Sequence, residues 1–225
     1  MIYQVVHVMV AYDEELATTA EVVYWLSPEM FCRLMVDTVS WRFEEEFNIR
    51  FTIICYEFWD SYDGIQNIKT LLQEAVSETG FYPGMTYNSI PIHILIAFTD
   101  QDTPLTPSYG YYEIEATKAV IVKETYYMFS LGQCTDNVLQ HELSHLYKCS
   151  HHNELDCNCV MNIHKVYLNI IEGEVPYALT TDEWCDICKA TIEANRRSYG
   201  SEETIGEGPG SDGPIPQPYG VDGVE

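Results

Sequence analysis

The sequence predicts a mixed α/β fold with a largely parallel sheet. Three observations carry this expectation. Strand-like and helix-like segments alternate along the chain, the order that builds crossover connections between parallel strands. The strand-like segments are near-continuous apolar runs, as expected of strands covered on both faces. A chain of 225 residues, 46% of them hydrophobic, is long enough for one domain with its own core.

The elements follow in order. "YQVVHVMVAY" (3–12) is an interior strand. Ser27-Pro28 is an N-cap with proline in the first turn, opening a helix whose Phe31, Met35, Val39 and Phe43 recur every four residues on one face. "IRFTIICYEFW" (49–59) is a second strand, rich in β-branched and aromatic residues. "GIQNIKTLLQEAVSETG" is a second helix, with Gly80 as its C-terminal stop. "IPIHILIAF" (90–98) is a third strand, a loop-rich stretch with a short edge strand near "YYEIE" follows, and "AVIVKE" (119–124) is another strand. A helix at about 136–148 is capped by Thr135 or Asp136. Thr180 with Glu183 forms a capping-box pattern that opens a last helix running to about Tyr199. The expected domain spans 1–198. Residues 199–225, Gly/Pro-rich and acidic with no Lys or Arg after Arg197, are expected to be a disordered tail.

Thirty-five acidic residues against 11 basic ones give a formal charge of −24. This excludes nucleic acid as a partner, because a polyanion needs clustered Lys and Arg. The chain has no apolar run of the ~18–20 residues that a membrane span requires. Its start lacks the basic residues and small-residue cleavage site of a secretory signal, so a cytoplasmic location is expected, with a processed secreted domain as the alternative. Oligomeric state is left open.

Eight cysteines are unevenly spread. Cys32 and Cys55 fall in hydrophobic segments and read as core residues. The other six, Cys134, Cys149, Cys157, Cys159, Cys185 and Cys188, lie in or after a histidine-rich stretch, "LQHELSHLYKCSHHNELDCNCVMN" (139–162). In a chain without a secretion signal, that clustering favours metal over disulfides.

His141-Glu142-Leu143-Ser144-His145 is an HExxH motif. Residues four apart stack on one helical face, so two imidazoles reach one ion while Glu142 sits beside it. Zinc suits imidazole nitrogen, and three protein ligands leave a fourth position for water. Zinc lowers the pKa of that water from about 15.7 to about 7, within reach of a glutamate base. His151 follows six residues later and can serve as the third ligand if the chain turns back between 145 and 151. His152, Glu172 and Glu174 are the alternatives for that position.

"HELSHLYKCSH" resembles the metzincin zinc signature HExxHxxGxxH. Lys148 stands where that signature has glycine, a position that ends the helix through a left-handed conformation. Such a conformation costs a non-glycine residue about 1–2 kcal/mol. Cys159-Val160-Met161 and Cys185-Asp186-Ile187-Cys188 sharpen the resemblance to the archaemetzincin branch. Two departures stand out: His152 replaces a family cysteine, and the spacers are longer.

The resemblance covers about 1–198. It implies a metzincin-like catalytic domain with a small helical C-terminal subdomain, and a zinc-dependent peptidase acting on an extended peptide or protein. It also implies a catalytic zinc on His141, His145 and His151, Glu142 as general base, and Met161 in a methionine turn. A second, structural zinc would lie on Cys159, Cys185 and Cys188, with Cys157 or His152 as its fourth ligand. Tyr147, Lys148 or a tyrosine in 109–112 are candidates for stabilising the oxyanion. The alternative reading is a non-catalytic zinc-binding or interaction protein on the same scaffold.

Overall fold

The computed structural model describes residues 2–65, 67–101, 110–124, 135–152, 158–162 and 181–204. Strand β1 (Ile2–Tyr12) is followed by α1 (Glu14–Val23) and α2 (Pro28–Phe47). Next come β2 (Ile49–Phe58), α3 (Ile68–Glu78) and a two-stranded hairpin of β3 (Thr86–Tyr87) and β4 (Ile90–Pro91). The sheet continues with β5 (Ile94–Thr99), β6 (Gly110–Glu113) and β7 (Ala119–Lys123). Helices α4 (Thr135–Leu146) and α5 (Asp186–Asn195), a 3-10 turn at Arg196–Ser198 and strand β8 (Ser201–Thr204) complete the described elements.

The main sheet has the order β2-β1-β5-β7-β6, with β8 beside β1. The β1–β2, β1–β5 and β5–β7 pairs are parallel, while β6 and β8 add antiparallel strands. The sheet is therefore mixed and largely parallel. Alternate residues of a strand face opposite ways, so one sequence fills two cores. Val6, Val8 and Val10 of β1 pack with Phe31, Val39 and Phe43 of α2 and with Leu139, Leu143 and Leu146 of α4. Met9 and Ala11 face the other side, against Leu71, Leu72 and Ala75 of α3. Helix α4 is thereby fixed on one face of the sheet, beside β7 and β6. Among the described residues no helix is long and apolar enough to cross a membrane.

Four elements differ from the expectations. Helix α1 was not anticipated: Asp13 caps it by accepting the Leu16 N–H, but Thr18-Thr19 and Val22-Val23 blur its helical character. The third strand begins at Ile94, because Ile90–Pro91 is spent in the hairpin. The last helix begins at Asp186 with Cys185 as N-cap, not at the Thr180/Glu183 box. The reason is that residues 182–184 serve other elements. The Asp182 carbonyl accepts from Gln140 Nε2 (2.6 Å), the Glu183 carbonyl accepts from Val160 N (2.8 Å), and Trp184 is buried between Phe43 and Phe47. The expected tail from 199 starts too early, since Ser201–Thr204 pairs antiparallel with Ile2–Val5. The rest of that tail, like Cys134, Cys157, Glu172, Glu174 and Thr180, lies outside the described residues.

Candidate active site

Helix α4 is buried along its length and anchored at its start by Arg42 of α2. The guanidinium donates to Asn137 Oδ1 (2.9 Å), Gln140 Oε1 (2.8 Å) and Asp136 Oδ2 (2.6 Å). At its end the helix stops in a Schellman arrangement: Lys148 N bonds to the His145 carbonyl (2.8 Å) and Cys149 N to the Ser144 carbonyl (3.2 Å). Lys148 holds the left-handed position, with φ 69°. The chain reverses there, and His151 returns to the helix.

Three imidazoles meet as a result. His141 Nε2 is 3.0 Å from His151 Nε2 and 3.1 Å from His145 Nε2, and His145 Nε2 is 2.9 Å from His151 Nε2. The opposite nitrogens of two of these rings are already engaged. His141 Nδ1 donates to the Val160 carbonyl (2.8 Å), and His145 Nδ1 donates to the Cys149 carbonyl (2.7 Å). A carbonyl only accepts, so each proton sits on Nδ1 and each Nε2 presents a lone pair to the common centre. Converging lone pairs repel one another unless they share a cation. A point equidistant from three nitrogens at these separations lies within the ~2.0–2.1 Å zinc–imidazole distance once lifted slightly out of their plane. The donor set therefore fits a zinc ion, with three protein ligands among the described residues.

Burial supports the same protonation state. It pushes His141 down to about 4, helped by the neighbouring His151, and His145 down to about 3, helped by His141. His151 is lowered too, by burial and by His152. Glu142 is buried on the same helix, and burial pushes its carboxyl up to about 8. A bound cation reverses that preference and favours the carboxylate.

A second cluster lies next to the first. His152 Nε2 is 3.0 Å from Cys188 Sγ and 3.2 Å from Cys185 Sγ, and Cys159 Sγ is 3.8 Å from Cys188 Sγ. Four donors in a closed group, with this sulfur separation, match a tetrahedral Cys₃His site with ~2.3 Å zinc–sulfur bonds. The N–H groups of Cys185 (3.4 Å) and Met161 (3.5 Å) point at Cys159 Sγ, a contact that favours the thiolate. Without a cation the Cys188 thiol and burial push Cys159 well up, and the Cys149 thiol and burial do the same to Cys188. Of the two candidates for the fourth ligand, His152 is in the cluster and Cys157 lies outside the described residues. Cys149 stays outside it, with its thiol donating to the Cys188 carbonyl (3.6 Å). Met161 is fully buried, one residue after the carbonyl that orients His141, and its own carbonyl accepts the His152 N–H (2.9 Å).

Not every sequence candidate reaches the site. Tyr147 is fully buried against Phe43 and Tyr199, so it packs in the core and is withdrawn as an oxyanion partner. Lys148 is exposed at the helix end. Tyr112 stacks on His145, while Tyr111, its neighbour in β6, lies 5.8 Å from Lys69 Nζ. The role of Gly110 was missed altogether, since a glycine after two prolines carries a turn signal and says nothing of what lies opposite.

A mixed α/β domain whose helix brings two histidines and a glutamate to a third histidine defines a metallopeptidase-type centre. The chain matches the Reprolysin_5 model, metallo-peptidase family M12, over residues 3–197, and it belongs to that family. A zinc ion is the usual metal of such peptidases. Among solved structures, the chain is similar to one titled "Structure of a chaperone-substrate complex", with 13% identity and a TM-score of 0.53. The match covers 87% of this chain and 34% of that one, so this chain spans about a third of that protein's length. At this identity the likeness concerns the fold alone. The comparison with curated proteins gives no match.

Proposed function

We propose that this protein is a zinc-dependent peptidase of metzincin type, closest to the archaemetzincins. The observation that carries the reading is the convergence of the three Nε2 atoms of His141, His145 and His151, each within 3.1 Å of the others, with Glu142 on the same helix. The archaemetzincin assignment is supported by Cys159, Cys185 and Cys188 gathering with His152 into a second, structural site.

His141, His145 and His151 would hold the zinc ion, which would supply Lewis acidity for hydrolysis. The chain's own residues do the rest. Val160 and Cys149 hold two imidazoles in the ligating tautomer through their carbonyls. Glu142 takes a proton from the attacking water and passes it to the departing amine. The peptide lies extended along β6, an edge strand among the described residues, as an added strand. Met161 forms the apolar floor of the histidine cluster.

Incubating the zinc-loaded protein with a mixed peptide library and reading the products by mass spectrometry tests this. New termini are expected from the wild type, and none from Glu142→Ala or from protein treated with chelator. Equal cleavage by wild type and Glu142→Ala would overturn the proposal.

A further inference from the structure

Strand β6 touches the candidate centre at two points, both on the same face. Residues 110 and 112 are two apart in a strand, so they point the same way, toward α4. Gly110 is not in a left-handed conformation, so its value here is space. A Cβ built on it would lie 2.5 Å from Glu142 Oε1, 2.6 Å from Cγ and 2.8 Å from Cδ. No real side chain tolerates such separations without moving the carboxyl. Glycine inside a strand weakens it, and it marks a place where another group approaches closely.

Tyr112 lies flat on a ligand ring. Its ring centroid is 4.1 Å from that of His145, with 19° between the planes. The 2.7 Å bond from His145 Nδ1 to the Cys149 carbonyl sets the imidazole's direction, but leaves it free to tilt about that bond. The tyrosine face removes the tilt. Both residues are backed by a rigid neighbour: Gly110 pairs with Val122 and Tyr112 with Val120, and both valines of β7 are fully buried.

We propose that β6 is the positioning element of the centre: Gly110 leaves the slot in which the Glu142 carboxyl sits, and Tyr112 holds the His145 imidazole in its ligating plane. In this role Gly110 acts through Glu142 and Tyr112 through His145. Both are positioning residues, one for the base and one for a metal ligand. This rests on the metallopeptidase reading, and the two halves have separate readouts.

The test compares wild type, Tyr112→Phe, Tyr112→Ala, Tyr112→Leu and Gly110→Ala. Zinc affinity is measured by competition with a chromophoric chelator, with His141→Ala identifying the zinc held by the histidines. Tyr112→Ala is expected to weaken that zinc about tenfold, the usual cost of losing a group that orients a ligand. Tyr112→Phe keeps the flat face and stays within about twofold of wild type. Tyr112→Leu keeps bulk without the face and resembles Tyr112→Ala, and it replaces that variant if the alanine form does not unfold cooperatively. Gly110→Ala is expected to keep zinc within about twofold but to lose about a hundredfold in kcat at unchanged KM.

Zinc binding unaffected in Tyr112→Ala and Tyr112→Leu, or equally weakened in Tyr112→Phe, overturns the tyrosine's role. Full cleavage by Gly110→Ala, or zinc lost from it, overturns the glycine's. A wild type that cleaves no peptide overturns the peptidase reading and the glycine half with it, while the zinc affinities of the Tyr112 variants decide the other half by themselves.

Discussion

Val160 ties the two clusters together: its carbonyl accepts the 2.8 Å bond from His141 Nδ1, and the residue before it, Cys159, stands 3.8 Å from Cys188 in the sulfur cluster. A parallel link runs through 149–152, where the Cys149 carbonyl orients His145, His151 joins the first cluster and His152 the second. The same short segments therefore set the geometry of both sites. Zinc at the second cluster is expected to stiffen the carbonyls that orient the first. Cys188→Ser, which removes a sulfur far in sequence from those carbonyls, is predicted to weaken zinc on the three histidines about tenfold, measured by chelator competition. Unchanged affinity would mean that the clusters act independently.

Lys148 carries backbone strain that glycine would relieve. A left-handed L-residue costs about 1–2 kcal/mol, and glycine loses about 0.4–1 kcal/mol through the greater freedom of its unfolded chain. The strain is the larger effect. Lys148→Gly is predicted to raise unfolding free energy by about 0.5–1 kcal/mol in urea titration, with zinc affinity unchanged.

Asp13 makes stability fall as pH rises. Its carboxyl is fully buried, and burial pushes it from 3.8 up to about 7 despite hydrogen bonds from Thr99 and the Leu16 N–H. A folded value above the unfolded one means that its contribution is full below 3.8 and is lost as pH rises through about 7. Asp13→Asn keeps a side-chain oxygen for the cap and removes the charge. Its stability relative to wild type is predicted to improve between pH 5 and pH 8. A gap independent of pH would contradict this.

Ser144 bridges α4 and the segment before α5. Its hydroxyl donates to the Gln140 carbonyl (2.7 Å) and accepts from Trp184 Nε1 (2.8 Å), both buried. Ser144→Ala strands the indole N–H and is predicted to cost about 1–3 kcal/mol of stability in urea unfolding. Because Ser144 lies between the two ligand positions without facing the ion, zinc per chain should not change.

What could be read from the sequence followed local periodicity. The pairing of His141 with His145 is a property of any helix, and the apolar runs of β1, β2 and β7 announce buried strands. The return of His151 depends on a helix stop that Lys148 conceals, because the left-handed turn there is imposed by the two Schellman bonds and not by a glycine. No short motif distinguishes His152 from Cys157, and among the described residues it is His152 that stands in the cluster. Gly110 carries no site signal in the sequence, and Tyr112 stands out there only as one of several tyrosines in 109–112, because both act across a gap between strand and helix. Helix α5 began later than its capping signal because residues 182–184 are committed to Gln140, Val160 and the Phe43–Phe47 pair.

Two zinc sites are expected, one of them on His141, His145 and His151. Elemental analysis of zinc per chain, in protein purified without added metal and in His141→Ala beside it, tests this most directly. Two zinc ions are expected in the wild type and one in a variant that is still folded. A single zinc that survives the substitution would place the metal on the cysteine cluster alone and contradict the peptidase centre.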